Sequence, residues 1–321
     1  MRWSAISKLA GAAASLLGLF LLYRVLSRYE AAEILEAVRD LSPLDIGLAV
    51  GFAATSFLAL AAGEILAVRY AGFRLGWGRT AKVSTAAIGI GHAIGLAALS
   101  SGAVRYRMYR RHGADLPGLA KLMLFSGITV AAGMMTVGGI AMLGRPQEIA
   151  DLVGIASGQT RMLGGALLVV VLLYAGCCAA FSGSIRLFRV NLSLPPARLA
   201  LGQIGAGAMN YAAIAGCLYA CLRPFAEAGY PTVAALYVGS DATAVIGHVP
   251  GGWGVLEYVL TAALDQPHLI AGILAFRTIY YLVPLFIGLG LFAQDEIAGL
   301  RDRTGGEDVD NAPHGRAALS R

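Results

Sequence analysis

The sequence predicts an all-α, polytopic membrane protein, from its composition and from the spacing of its charges. The chain is 57% hydrophobic and only 14% charged, whereas soluble domains are about 45–50% apolar and about 25% charged. Uncharged residues form runs close to the ~20 residues that a helix needs to cross the hydrocarbon core. This pattern excludes a water-soluble globule and a disordered chain. Five runs are uninterrupted (46–63, 83–104, 122–144, 162–185 and 199–222), and three are less uniform (9–23, 228–256 and 266–294).

The first run resembles a signal peptide, because residues 9–23 follow a short basic segment. No small-residue cleavage site follows it, so we expect an uncleaved first transmembrane helix. This helix brings the predicted number of full crossings to about six. The other five are placed at 46–68, 119–143, 162–185, 199–222 and 269–292.

The two remaining segments, 83–104 and 228–264, are predicted to enter and leave the membrane on one side, as re-entrant helical hairpins. If all eight segments crossed, the 24 Lys and Arg residues outside the membrane would divide 13 to 11; with two hairpins they divide 18 inside and 6 outside. An excess of Lys and Arg is typical of the cytoplasmic side. Both segments also have glycine-rich centres, at 89–95 and 247–254. Ordinary spans kinked at glycine are the alternative.

The predicted threading contains an inverted-topology repeat, with halves at about 46–143 and 199–292. Each half has a span, a broken segment and a second span, and the halves run in opposite directions. Paired broken segments of this kind indicate a transporter's binding site near the middle of the membrane. We expect one transmembrane domain over 1–295, a polar, disordered tail over 296–321, and both chain ends in the cytoplasm.

Four ionisable residues lie inside the apolar segments, where a charge is costly and therefore indicates a functional site. Arg277 lies well inside the last span, and Glu257 follows the 247–254 break. We predict that these two form an ion pair, which either joins the hairpin to the last helix or gates a ligand. Glu64 is expected to reach the interface or to pair locally with Arg69. Asp241 is the fourth.

The two breaks are candidate anion sites. Gly251, Gly252 and Gly254 are predicted to leave amides accessible at the start of a half-helix, which favours an anion. Arg105 and Arg107 follow the other break. They are suited to binding a phosphate, or they form a basic flank attracted to anionic lipid.

Three further polar residues are candidates with ordinary alternatives. Gln203 either contacts a substrate or hydrogen-bonds a neighbouring helix. His92 and His248 are either structural donors or proton carriers. The sequence has no nucleotide-binding, nucleophile-triad or metal-ligand pattern, so we expect no cofactor and no direct use of ATP. The net charge of +6 is small and dispersed, so no nucleic-acid partner is expected.

Four stretches resemble a known family. They are similar, in order, to motifs of the membrane flippase domain of the bacterial multiple peptide resistance factors, in the lysyl-phosphatidylglycerol synthase transmembrane-domain family. The last stretch adds Tyr281 to the candidates. Two residues depart from the family's motifs: Ser101 stands where the motif has Gly, and Gly247 stands where the motif has Ser. The stretches are LSSGAVRYRMYRRHG (99–113), LPPARLALGQ (194–203), GHVPGGWGVLE (247–257) and RTIYYLVPL (277–285).

The resemblance implies a flippase that moves a phospholipid, or another phosphate-bearing lipid, across the bacterial cytoplasmic membrane. Arg105 and Arg107 would receive the phosphate inside, and the 251–254 amides with Arg277 would receive it outside. The implied partner is a membrane phospholipid, anionic or aminoacylated, with a second copy of the chain or a separately encoded lipid-modifying enzyme as further partners. The family's soluble synthase domain has no counterpart here, so lipid synthesis is not expected.

Two other function classes stay open on the sequence alone. One is an integral membrane enzyme that uses a lipid-linked substrate, with Glu257 as its acid or base. The other is a non-transporting accessory membrane subunit. A flippase would move its lipid either passively or by coupling the movement to an ion gradient.

Overall fold

The computed structural model describes residues 39, 41–94, 97–181, 183–187, 190–247, 249, 252–266 and 269–310. The predicted first helix at 9–23 lies outside these residues. The described chain is helical, apart from one short antiparallel β-hairpin, so the all-α prediction is confirmed. The elements in chain order are α1 (Pro43–Ala71), α2 (Trp77–Ile94), α3 (Ala97–Arg110), α4 (Leu116–Gly144), α5 (Pro146–Val153), α6 (Ser157–Ala180), β1 (Ser184–Leu187), β2 (Val190–Ser193), α7 (Ala197–Leu222), α8 (Tyr230–Ile246), α9 (Val255–Leu264), α10 (Leu269–Arg277), a π-helical turn (Thr278–Leu282) and α11 (Val283–Asp310).

Among these residues, five helical stretches are long and apolar enough to cross a membrane. They are α1, α4, α6, α7 and the continuous stretch Leu269–Gly299, which runs from α10 through the π-helical turn into α11. They match the five predicted crossings after the first. The predicted span 162–185 is too long at its end, because α6 stops at Ala180 and the β-hairpin follows.

Local signals explain where the long helices begin. The Ser42 side chain accepts a hydrogen bond from the Asp45 N–H (3.2 Å), and Pro43 occupies the first position of α1. Asp115 caps α4 in the same way, because its Oδ1 accepts from the Gly118 N–H (3.0 Å). Such caps satisfy amides that have no partner inside the helix.

Each segment predicted to be re-entrant is divided into two helices that pack against each other, α2 with α3 and α8 with α9. The second break lies between Ile246 and Val255, as predicted from its Gly and Pro content. Helix α2 continues through Gly89 to Ile94, so the first break lies at the end of the predicted glycine-rich centre 89–95. Gly89 is used for packing instead: a Cβ there would lie 2.3 Å from the Pro284 carbonyl oxygen of α11. That both hairpins return to the side they enter from stays a prediction.

The contacts between the two halves of the chain are reciprocal. Helix α1 packs against α7, which are the first spans of the two halves. Helix α2 packs against α11, and α8 packs against α4. The first arm of each broken pair therefore contacts the last helix of the other half. This exchange is the arrangement that an inverted repeat would give, and the repeat itself stays a prediction.

Helix α11 continues to Asp310, into the segment 296–321 for which a disordered tail is predicted. Two acidic side chains hold this part of α11 against the end of α3. Arg107 donates to both carboxylate oxygens of Glu296 (2.7 and 2.8 Å), and Arg111 contacts Asp295 (3.1 Å). The remaining tail, 311–321, lies outside the described residues.

Candidate functional site

A cavity of about 700 Å³ lies between the two broken helix pairs. Its wall includes residues of α1, α2, α3, α4, α7 and α8, together with the 247–254 break and the end of α10. Much of the predicted site is thereby brought together. The predicted residues in the wall are Glu64, His92, Arg105, Asp241, Gly252, Arg277 and Tyr281.

Arg105 and Glu64 form a buried, bidentate ion pair. Arg105 Nε donates to Glu64 Oε1 and Arg105 Nη2 to Oε2, both at 2.8 Å. The Tyr109 hydroxyl also donates to Oε1 (3.0 Å). The side chains are 7% and 2% exposed, so both charges are removed from solvent. The expectation that Glu64 pairs with Arg69 or reaches the interface is therefore wrong.

The predicted pair of Arg277 and Glu257 is confirmed. Arg277 Nε donates to Glu257 Oε1 (2.6 Å), and Nη2 donates to Oε2 (2.9 Å) and to the Gly252 carbonyl oxygen (3.3 Å). The guanidinium carbon lies 4.1 Å from the centre of the Trp253 ring and 5.3 Å from that of Tyr281, within the range of cation–π attraction. Arg277 thus fixes the 247–254 break against the last helix.

The amides of the break are not available in the way that the sequence suggested. The Gly252 N–H donates to the Val249 carbonyl oxygen (3.1 Å), and the Gly254 N–H donates to Glu257 Oε2 (2.9 Å). Both glycines have positive φ, 61° and 83°, a conformation that costs other residues free energy. Both glycines therefore suit the turn, and their binding of an anion stays a prediction. Gly251 lies outside the described residues.

Arg107 and Gln203 are not in the cavity wall, so their prediction as substrate-binding residues is not supported. Arg107 lies on the face of α3 that points away from the cavity, and its side chain donates hydrogen bonds to Glu296. Gln203 is buried between helices: its Nε2 donates to the Phe125 carbonyl oxygen (2.8 Å), and its Oε1 accepts from the Tyr174 hydroxyl (2.5 Å). The alternative given for Gln203, a hydrogen bond between helices, agrees with these contacts.

Asp241 and His92 face the cavity from opposite hairpins. Asp241 Oδ2 accepts a hydrogen bond from the Tyr211 hydroxyl (2.5 Å). His92 Nδ1 is buried and makes no hydrogen bond within the described part of the chain, while its ring lies 6.2 Å from Tyr280 and 6.0 Å from Tyr281. His248 lies outside the described residues.

Sequence reasoning missed a neutral polar cluster beside the cavity. The Ser56 hydroxyl donates to Asn210 Oδ1 (2.7 Å) and is also hydrogen-bonded to the Tyr280 hydroxyl (2.7 Å). Asn210 and Tyr211 also belong to the cavity wall. Their only sequence signal was polarity inside an apolar run, which ordinary membrane helices also show.

The cavity reaches the apolar surface of the protein. Val130 of α4 and Val245 of α8 belong to its wall, yet they are 38% and 59% exposed. These helices are neighbours, so the opening lies between two helices. A largely apolar cavity that contains a few charged side chains and opens sideways onto apolar surface can admit one end of an amphipathic molecule while the other end stays outside.

Comparison with known proteins shows similarity over most of the chain. No family model matches it. It is 25% identical over 301 residues to "Uncharacterized protein slr0712" of Synechocystis sp., covering 90% of this chain and 94% of that protein. It is 28% identical over 265 residues to "Inner membrane protein YbhN" of Escherichia coli K12, covering 80% and 82%. With its apolar helices, the chain is thus a multi-pass membrane protein similar to a bacterial inner membrane protein.

Proposed function

We propose that this protein is a lipid flippase, which moves a phosphate-bearing lipid headgroup across the bacterial cytoplasmic membrane. The observation that supports this function best is the cavity between the two broken helix pairs. It places two buried arginines, Arg105 and Arg277, inside an otherwise apolar bundle, and it opens sideways onto apolar surface.

The size and the walls of the cavity suit a headgroup without its acyl chains. Ligand sites have volumes of about 300–1,000 Å³, and this cavity holds about 700 Å³. The acyl chains would remain in the bilayer and pass through the opening at Val130 and Val245. Only the polar headgroup then crosses the protein, which removes most of the cost of moving it through hydrocarbon.

Arg105 provides the contact for the phosphate. Its Nε and Nη2 are used by Glu64, while its Nη1 makes no hydrogen bond with any described residue and can donate to an oxygen in the cavity. Because Glu64 already compensates the positive charge of Arg105, the arginine keeps its position when the cavity is empty. A further charge-assisted hydrogen bond, to a phosphate, is then added without moving the side chain.

The orientation in the membrane is also part of this proposal. The broken pairs would be re-entrant hairpins, with both chain ends and the basic segment around Arg107 and Arg111 in the cytoplasm. Arg277 and the 247–254 break would then form the outer side of the cavity. Glu257 has both oxygens occupied by Arg277 and the Gly254 amide, which argues against a role as catalytic acid or base.

The test is headgroup transfer in proteoliposomes containing the purified protein. Phosphatidylglycerol with an NBD label on one acyl chain is placed in both leaflets, and dithionite added outside reduces the label that it can reach. We expect loss of fluorescence beyond the outer-leaflet fraction, at a rate above that of protein-free vesicles. Equal rates with and without protein, for anionic and for aminoacylated lipids, would contradict the proposal. New lipid species by mass spectrometry would identify an enzyme instead.

A further inference from the structure

Asp241 differs from Glu64, which also lies in the cavity wall, and from Glu257. Both oxygens of each glutamate accept hydrogen bonds from Nε and Nη2, along one edge of an arginine. Asp241 instead accepts one hydrogen bond, from the neutral hydroxyl of Tyr211 (2.5 Å). Among the residues that the structure describes, no Lys, Arg or His forms an ion pair with it. Its negative charge is therefore uncompensated within this part of the protein.

An uncompensated carboxylate inside an apolar bundle is unfavourable. Placing an aspartate at the centre of a membrane helix is costly. A chain that carries such a group must neutralise it during part of its working cycle, either with a proton or with a positive group on a ligand. Asp241 lies in the cavity wall, where water and a headgroup both have access.

The surroundings of Asp241 favour the proton. Among the described residues, the titratable groups around it are the phenols of Tyr211 on α7, of Tyr280 and Tyr281 on the π-helical turn, and of Tyr237 on its own helix. Phenols are neutral near pH 7, with ordinary pKa values of about 10. These hydroxyls can donate to a carboxylate or accept from a carboxylic acid, so both protonation states of Asp241 have partners.

The other helices packed against α8 provide no titratable group that competes with Asp241 for the proton among the described residues. Glu257 of α9 is already paired with Arg277. The cavity wall contributed by α4 contains no titratable side chain. Glu148 of α5 accepts from Thr232, at the opposite end of α8. His92 faces the cavity from α2, across the site.

We propose that Asp241 takes up a proton from water in the cavity on one side of the membrane and releases it to water on the other side in each cycle. Lipid movement would thereby be coupled to the proton gradient. Only an O–H bond of the carboxyl group forms and breaks, and the proton comes from and returns to water. This inference rests on the proposed flippase function. Asp241 lies near the end of α8, just before the 247–254 break, so its charge is close to this part of the cavity.

The test is the distribution of lipid between leaflets under an imposed pH gradient, because passive transfer cannot hold an unequal distribution. Proteoliposomes contain the acyl-labelled NBD-phosphatidylglycerol, and potassium with valinomycin holds the membrane potential at zero. With one proton per lipid, a gradient of one pH unit should shift the leaflet ratio by about tenfold at steady state. The amplitude of the initial fast phase of reduction by dithionite reports the ratio, and entrapped pyranine reports the accompanying proton flux.

Asp241→Asn should abolish the shift in leaflet ratio and the proton flux. The amide keeps the shape of the side chain and can accept from Tyr211, so thermal stability in detergent should be close to that of the wild type. Asp151→Asn, on the exposed face of α5, is the matched control and should behave as wild type.

The outcomes separate the two proposals. Wild-type transfer that gives equal leaflets under the gradient would overturn proton coupling and leave the flippase proposal standing. A shift that survives in Asp241→Asn would also overturn the assignment. So would a loss of transfer in Asp241→Asn that is confined to amine-bearing lipids, because the headgroup would then supply the positive charge. Absence of transfer by the wild type would refute the flippase itself.

Discussion

Arg105→Ala is expected to destabilise the protein by roughly 3–5 kcal/mol, the usual cost of leaving a buried charge without its partner. Glu64 is only 2% exposed and would retain just the Tyr109 hydroxyl as a donor. No other cation forms an ion pair with Glu64 in the part of the chain that the structure describes. Denaturation in detergent, followed by circular dichroism, measures the change in free energy of unfolding.

Two comparisons make this result specific to burial. Arg107→Ala removes a pair with similar distances, but its side chains are 52% and 22% exposed, so we expect a loss of about 1 kcal/mol or less. Replacing Glu64 and Arg105 together by Gln should cost less than Arg105→Ala, because no charge is left behind. If Arg105→Ala is as mild as Arg107→Ala, Glu64 is hydrated and the buried pair does not exist as described.

The second pair should respond asymmetrically to the loss of either partner. Arg277 is 3% exposed and Glu257 is 31% exposed. Glu257→Gln leaves a buried guanidinium without a counter-charge, and we expect a loss of roughly 3 kcal/mol. Arg277→Gln leaves a carboxylate that is partly hydrated and still accepts from the Gly254 amide, so a loss of about 1–2 kcal/mol is expected.

The double variant of Glu257 and Arg277 separates stability from transport. With both residues changed to Gln, the protein should be more stable than Glu257→Gln alone but should not transfer lipid. Normal transfer by this double variant would show that the pair is only a structural connection between α9 and α10. Equal losses of unfolding free energy for the two single variants would mean that Arg277 and Glu257 are equally exposed to water, contrary to the structure.

The helices could be predicted from the sequence because length and hydropathy decide which segments cross a bilayer. Each described span contains a long, predominantly apolar run, and the 247–254 break lies where Gly and Pro are concentrated. The position of the first break was not predictable in this way. Glycines permit both a break and a close approach between helices, and the neighbour that decides for Gly89 is Pro284, far away in the sequence.

The site could be predicted only in part, because partners between distant helices are not visible in one sequence. The Glu257–Arg277 pair was predicted because both residues were expected at a similar depth in the membrane. The same reasoning did not find the partner of Glu64, which lies 41 residues away on α3. Trp253 was seen as part of a glycine-rich break, and nothing local showed that its ring covers Arg277. Arg105 and Arg107 look equivalent in sequence, but the Arg105 side chain points to the cavity and the Arg107 side chain to the surface.

The claim that the cavity is the path of the headgroup can be tested by filling it. Gly127 of α4 belongs to the cavity wall, and a Cβ there meets nothing within 4 Å, so a side chain added at this position begins in open space. Gly165 of α6 is equally open but lies outside the wall. Gly127→Trp and Gly165→Trp therefore add the same bulk, inside the cavity and away from it.

The decisive measurement is the initial rate of NBD-lipid transfer by these two variants at equal protein density. Both should insert and show thermal stability close to that of the wild type. We expect Gly127→Trp to transfer lipid no faster than protein-free vesicles do, and Gly165→Trp to transfer it at the wild-type rate. Wild-type transfer by a stably folded Gly127→Trp protein would contradict the assignment of the cavity as the path of the lipid headgroup.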